Sequence, residues 1–184
     1  MCTTSSPSRV SGSRRWRAAY LELTYGCGAY QPYESLVAEA ARRSALPSAL
    51  ATSLAEQWET IEPWEDAPAL LRRLAPNHRL GVVTNCSERL GRAAARRLGV
   101  AWDEIVTSER AGFYKPHPAP YRLALAELGL QAREVLFVAG SGFDLVGTAQ
   151  VGLDTYWHNR VGLARPEAAP APLRESRSLE GLFS

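Results

Sequence analysis

The stretch YKPHP, residues 114–118, carries the one lysine of a chain with 21 lysines and arginines in all. An ammonium group is a compact charge on a long stem that reaches into a crevice and holds one or two carboxylates, whereas the planar guanidinium fork needs room around it. Pro116 and Pro118 halt any helix and press the residues before them into extended geometry, so Lys115 is expected on a stiff loop. Polar residues of matching type stand elsewhere: Thr84 and Asn85 close the apolar run RLGVVTN, and Asp144 sits in GSGFDLVG. An amine held against a carboxylate can position or stabilise a reacting acid. Plainer roles stay open for each residue. Thr84 and Asn85 can simply end a strand, Asp144 can cap the helix it opens, Tyr121 can be a core aromatic, and Arg17 can be a solvated helix charge.

Elements must bring these side chains together. From residue 16 to 75 apolar positions recur at helical spacing in WRAAYLELTY, YESLVAEAARRSA, LPSALATSLAEQW and WEDAPALLRRLA, with no strand between them. After Pro76 the period changes. Short apolar runs, RLGVVTN (79–85), EIVTS (104–108), VLFVAG (135–140) and DTYWHN (154–159), alternate with the helical SERLGRAAARRLG (87–99), PAPYRLALAELGL (118–130) and FDLVGTAQVGL (143–153). This predicts an α/β fold: a Rossmann-like parallel sheet with right-handed crossovers and helices on both faces. Ligands of such sheets bind beyond the carboxyl ends of the strands. The polar groups stand at those ends: Thr84-Asn85, Ser108 to Lys115, Ala139 to Asp144, and His158-Asn159-Arg160. A last short helix is expected at RSLEGLF, after the Pro- and Ala-rich connection ARPEAAPAP.

At 184 residues the chain can bury a core without disulfides or metal. A net charge of +2 with scattered arginines leaves no footprint for nucleic acid or a membrane surface, and no apolar run approaches the roughly 18 residues a membrane helix needs. Cys2, Cys27 and Cys86 lack metal spacing and read as reduced thiols of a cytoplasmic protein, with Cys86 a small buried filler. His78, His117 and His158 form neither a metal pattern nor a Ser/His/Asp arrangement. The glycines of GSGFDLVG differ in order from those of a dinucleotide or P-loop motif. Residues 1–15, rich in Ser and Arg, are expected to be unstructured.

The order VVTN (82–85), then YKP (114–116) followed by PYRLALAELGL, then VLFVAGSGFDLVGTAQVGLDTYWHNRVG (135–162), resembles motifs two, three and four of the haloacid dehalogenase superfamily, most of all its L-2-haloacid dehalogenase branch. WRAAYLELTY is similar to the first helix of that branch's cap. The resemblance implies a small helical cap, residues 16–62, on a Rossmann-like core, residues 63–184. It also implies roles by position. Lys115 would stabilise a nucleophilic carboxylate, Asp144 would pair with that lysine, and Thr84 and Asn85 would hold an oxyanion or carboxylate. Arg17 would bind the substrate carboxylate or the departing halide. Tyr121, Ser141 and Phe143 would line the substrate pocket, and Tyr25, Tyr30 and Tyr33 would help enclose a dry site under the cap. In a complete member, without a cofactor, an aspartate attacks C2 of a 2-haloacid and displaces halide, and water hydrolyses the ester.

Two departures qualify the resemblance. The superfamily's first motif, an apolar strand ending in Asp with Gly-Thr shortly after, has no counterpart, and no aspartate precedes Asp66. The first core strand and its nucleophile are therefore expected to be missing, as in an N-terminally shortened enzyme or an inactive relative that keeps the pocket. Such a chain is expected to be poorly soluble or to form a homodimer through the gap. Secondly, Ala139 stands where magnesium-dependent phosphatases of the superfamily carry an acid, so a hard cation would lose an oxygen ligand. A magnesium-dependent small-molecule phosphatase and a non-catalytic binding module are the alternatives, and a small molecule is the expected partner in an enzyme.

Overall fold

The computed structural model describes residues 7–183. Its first part is helical: α1 (Pro7–Gly26), α2 (Tyr33–Arg43), α3 (Ser48–Glu56) and a single 3-10 turn at Trp58–Thr60. On α2 the positions Tyr33, Leu36, Val37, Ala40 and Ala41 are buried, an i, i+3, i+4, i+7 stripe. That stripe packs on Trp16, Tyr20 and Leu23 of α1, on Leu54 of α3 and on Trp58.

Helix α1 begins ahead of expectation. Residues 7–15 are helical rather than unstructured, while residues 1–6 lie outside the described residues. Composition misjudged this start for two physical reasons. Pro7 at the first helical position has its φ preset and no N–H to leave unpaired, and buried Gly12 lets the helix approach Leu46, whose Cδ2 would lie 3.5 Å from a Cβ at residue 12.

The second part alternates: α4 (Ala67–Leu74), β1 (Gly81–Thr84), α5 (Glu88–Arg96), β2 (Glu104–Thr107), the one-turn α6 (Ser108–Ala111), α7 (Pro118–Leu128), β3 (Leu136–Ala139), α8 (Asp144–Ala149), β4 (Asp154–His158) and β5 (Arg174–Ser176). All strand pairings are parallel, with Val82 opposite Ile105, Val138 opposite Tyr156 and Trp157 opposite Glu175. The C-terminal residues 179–183 form a 3-10 turn, as the sequence suggested. Strand β5 was not foreseen. Its residues carry no apolar alternation, and it is held to β4 through its backbone as an edge strand.

Two glycines permit close packing of helices in this α/β part. A Cβ at Gly91 of α5 would lie 2.7 Å from Thr107 Cγ2 and 2.9 Å from Thr84 Cγ2, so α5 rests directly on β1 and β2. At Gly147 of α8 a Cβ would lie 2.3 Å from the Tyr121 ring and 2.4 Å from the Pro116 carbonyl oxygen, which brings α8 against α7 and the lysine loop.

The sheet is in two pieces. One has the order β1-β2 and the other β3-β4-β5, and no ladder joins β1 to β3 among the described residues. Leu136 and Val138 of β3, at the end of its piece, are 44% and 42% exposed.

The helical part is seated on the α/β part by mixed contacts. Cys86, Leu90 and Tyr114 belong to the same apolar cluster as α1 and α2. Trp58 Nε1 donates to the Leu90 carbonyl at 2.8 Å, and the Ser87 hydroxyl donates to Glu34 at 2.9 Å.

Candidate active site

Asn85, the residue after β1, accepts at Oδ1 from the Lys115 backbone N–H at 2.7 Å and from the Ser108 hydroxyl at 2.8 Å, while its Nδ2 donates to the Lys115 carbonyl at 3.0 Å. The amide thus holds both backbone polar groups of Lys115. One Nδ2 hydrogen of Asn85, the residue expected to hold an oxyanion or carboxylate, is used to position Lys115.

The sequence reading paired Thr84 with Asn85 in that role. Side chains alternate along a strand, so Thr84 points opposite to Asn85; its hydroxyl donates to Cys86 Sγ at 3.5 Å and its methyl faces Gly91. Thr84 helps seat α5.

Lys115 projects its Nζ to 3.0 Å from Asp144 Oδ1, with the two side chains 16% and 6% exposed. The same oxygen accepts from the Tyr121 hydroxyl at 2.7 Å. Asp144 opens α8, where the positive end of a helix favours a carboxylate. Tyr121 is fully buried, stands edge-on to Phe137 at 5.3 Å, and has its phenol pushed well above the ordinary range by burial and by the Asp144 charge. It therefore remains a neutral donor. Lys115 Nζ also lies 5.6 Å from the Phe137 ring centre. Lys115, Asp144 and Tyr121, brought together from three segments, form a locked triad at the carboxyl ends of β1 and β3.

The cap reaches this triad through Tyr25. Its ring packs on Phe143 at 4.9 Å, and its phenol is raised first by burial and then by Asp144, with Arg17 and a hydrogen bond from Ser141 acting the other way. Ser141 in turn accepts from the Phe143 N–H at 3.3 Å, so both residues expected to line the pocket lie beside Tyr25. Arg17 is exposed; with Trp16, Tyr20, Tyr33, Val37 and Leu54 it lines a cavity of about 180 Å³ in the helical part. Tyr20, on that lining, donates to the carbonyl of Asn85, the residue that holds the Lys115 backbone, at 3.3 Å.

Tyr33 contributes to the cavity as anticipated for the aromatic enclosure, but Tyr30 does not. It stacks on Tyr114 at 5.3 Å and accepts from the Tyr33 N–H. Cys86 is buried, with its thiol pushed up by that burial. Two contributors escaped the sequence reading as site residues: Ser108, which orients Asn85, and Tyr20. The polar strand-end position of Ser108 was the available signal.

Comparison with known proteins agrees with this geometry. Residues 8–152 match the family model for haloacid dehalogenase-like hydrolase. The chain belongs to this family of enzymes. It is 28% identical to (S)-2-haloacid dehalogenase H-109 of Pseudomonas putida, over 97% of this chain and 85% of that protein. It is 27% identical to haloacetate dehalogenase H-2 of Moraxella sp. (strain B), over 85% and 75% of the two chains. The solved L-2-haloacid dehalogenase of Xanthobacter autotrophicus superposes with a TM-score of 0.85 at 22% identity, over 96% of this chain and 86% of that one, a likeness of fold. The haloacid dehalogenase-like family therefore accounts for the Rossmann-like core and helical cap.

Proposed function

We propose that this chain forms the substrate site of a 2-haloacid dehalogenase, with residues 16–62 as cap and 63–184 as core. The observation that carries the reading is the Lys115–Asp144 ion pair at 3.0 Å, locked by Tyr121 at the strand ends. Its reaction requires a carboxylate beside Lys115, which family resemblance assigns to an aspartate at the end of a first core strand. A carboxylate oxygen attacks C2 of the haloacid as the carbon–halogen bond breaks, giving an ester and free halide. Water then adds to the ester carbonyl, and collapse releases the 2-hydroxy acid, regenerates the carboxylate and gives a proton to solvent.

Each residue's part follows from its place. Lys115 offsets the charge of the attacking carboxylate, Asp144 and Tyr121 hold the ammonium in position, Arg17 receives the substrate carboxylate, and Tyr25 with Phe143 excludes water, which strengthens those charge interactions.

A magnesium-dependent phosphatase fits these residues poorly. Ala139 is wholly buried where a ligating acid would stand, and Asp144 Oδ1 already takes Lys115 and Tyr121. No group of three or more His, Cys, Asp or Glu side chains among the described residues converges as a metal site.

The test is an assay of the chain with an aspartate-bearing apolar strand fused ahead of residue 1, given 2-chloropropionate and p-nitrophenyl phosphate, each with magnesium and with EDTA. Chloride release indifferent to EDTA is expected. Magnesium-dependent phosphate release without chloride would establish the phosphatase instead, and turnover of neither would leave a binding module.

A further inference from the structure

Helices α1, α2 and α3 border the cavity of about 180 Å³ that Arg17 lines. Its walls are aromatic and aliphatic: Trp16 and Tyr20 one turn apart on α1, Tyr33 and Val37 one turn apart on α2, and Leu54 from α3. The polar tips of the two α1 rings are already bonded. Trp16 Nε1 donates to the Val37 carbonyl at 3.0 Å, and the Tyr20 hydroxyl donates to the Asn85 carbonyl at 3.3 Å. Tyr20 and Tyr33 meet edge to face with ring centres 5.7 Å apart. What these side chains leave for an occupant is mainly hydrocarbon surface.

One charge borders that surface. Arg17 is the only charged residue on the lining among the described residues, it is exposed, and no ion pair among the described residues includes it. A guanidinium without an acid keeps its donors for a ligand anion, and its flat fork suits a carboxylate. Apolar walls with a single cation at the rim select a molecule divided in the same way, a hydrocarbon body with one negative end. An apolar cavity of about 150 Å³ holds a benzene-sized ring, so the space here matches a phenyl group or a branched chain of about six carbons.

We propose that this cavity is a binding site for a small apolar monocarboxylate, with its aryl or branched alkyl body between α1, α2 and α3 and its carboxylate on Arg17. Binding there needs neither a nucleophile nor a reaction, so it stands apart from the dehalogenase reading. Two sources supply this chemistry. One is the substrate itself: the reading above assigns Arg17 to the substrate carboxylate, and the Tyr25 phenol is acted on by the charges of both Arg17 and Asp144, so the cavity would take the substituent on C2. The other is a separate acid that holds Arg17 in place of the substrate.

Trp16 supplies the reporter, because its indole N–H bonds across the cavity wall to Val37. In the full chain its isotope-labelled indole signal, picked out from those of the five tryptophans by Trp16→Phe, is expected to shift saturably on adding 3-phenylpropionate. Acetate lacks the body and 3-phenylpropionamide lacks the charge, and each should bind about tenfold or more weakly. Arg17→Gln, at an exposed position, should erase the preference for acid over amide. Leu54→Trp, in a chain that still melts cooperatively, should fill the cavity and abolish the shift. Absence of a saturable shift would overturn the proposal, as would equal binding of acid and amide, or a shift that survives Leu54→Trp.

2-Hydroxy-3-phenylpropionate separates the two sources. Movement of the Trp16 signal and the Lys115 ammonium signal together marks the cavity as the place of the C2 substituent. Movement of Trp16 with Lys115 responding only to lactate marks a separate acid. Movement of Trp16 with Lys115 indifferent to both hydroxy acids keeps the cavity site and rejects the dehalogenase reading, whereas movement of Lys115 alone keeps that reading and overturns the cavity site.

Discussion

Asn85 spends its side chain on the lysine loop, and this makes its removal costly out of proportion to its size. Asn85→Ala would leave the Lys115 N–H and carbonyl and the Ser108 hydroxyl without that partner in a largely buried setting, at about 2–3 kcal/mol. The check is urea unfolding, where an unchanged midpoint would contradict this role. Lys115→Met is expected to cost about 3 kcal/mol because it strands the buried Asp144 charge with only the Tyr121 hydroxyl. Lys115→Met combined with Asp144→Leu should recover much of that loss, a non-additivity that a double-mutant cycle reads directly. The pairing of Lys115 with Asp144 was legible in the sequence because a lone amine and a helix-opening carboxylate are chemically complementary and each sat at a strand end. The work of Ser108 and Tyr20 was not, since a serine or tyrosine fits many environments and its role here is decided by how the loop after β2 and helix α1 come to lie.

The elements make a second set of claims, centred on the contact of α7 with α8. Gly147→Ala would place a methyl against the Tyr121 ring and the Pro116 carbonyl, an overpacking expected to destabilise by about 2–3 kcal/mol. It should also push Tyr121 off Asp144, which near-UV circular dichroism would register as a changed tyrosine environment; a wild-type spectrum and midpoint would contradict the packing described. Ser87→Ala removes both the N-cap of α5 and the hydrogen bond to Glu34 on α2. The expected loss is about 1–2 kcal/mol, with earlier proteolysis of the helical part than of the wild type. At this scale the alternation of apolar runs and amphipathic helices revealed the α/β order, because period and length are local properties. The start of α1 at Pro7 and the existence of β5 were hidden, since one depends on contact with Leu46 and the other on pairing with β4.

Across the whole molecule the junction of helical and α/β parts is unusually rich in phenols. Tyr20, Tyr25, Tyr33, Tyr114 and Tyr121 all have their ionisation pushed above the ordinary value near 10, burial being the largest cause in each. In the unfolded chain these phenols ionise near pH 10, whereas the folded chain keeps their protons, so above that pH the unfolded state binds fewer protons. The associated stability is present in full below about pH 10 and is lost as pH rises further. An alkaline titration should therefore show phenolate absorbance appearing together with unfolding; smooth phenolate formation with the fold intact would contradict the buried junction. No helix among the described residues is long and apolar enough to cross a membrane. The interrupted sheet was foreshadowed by the missing strand motif, but the division into β1-β2 and β3-β4-β5 became clear only from the strand pairings.

Because Lys115 is the one lysine of the chain, the protein grown with isotope-labelled lysine yields a single side-chain ammonium signal in its nuclear magnetic resonance spectrum. If the amine sits in the substrate site against Asp144, that signal should be shielded from rapid exchange, should shift saturably on adding lactate, a 2-hydroxy acid of the kind the reaction would release, and should sharpen to a free-lysine signal in Asp144→Asn. A free-lysine signal in the unmodified chain, indifferent to lactate and to that substitution, would contradict the account.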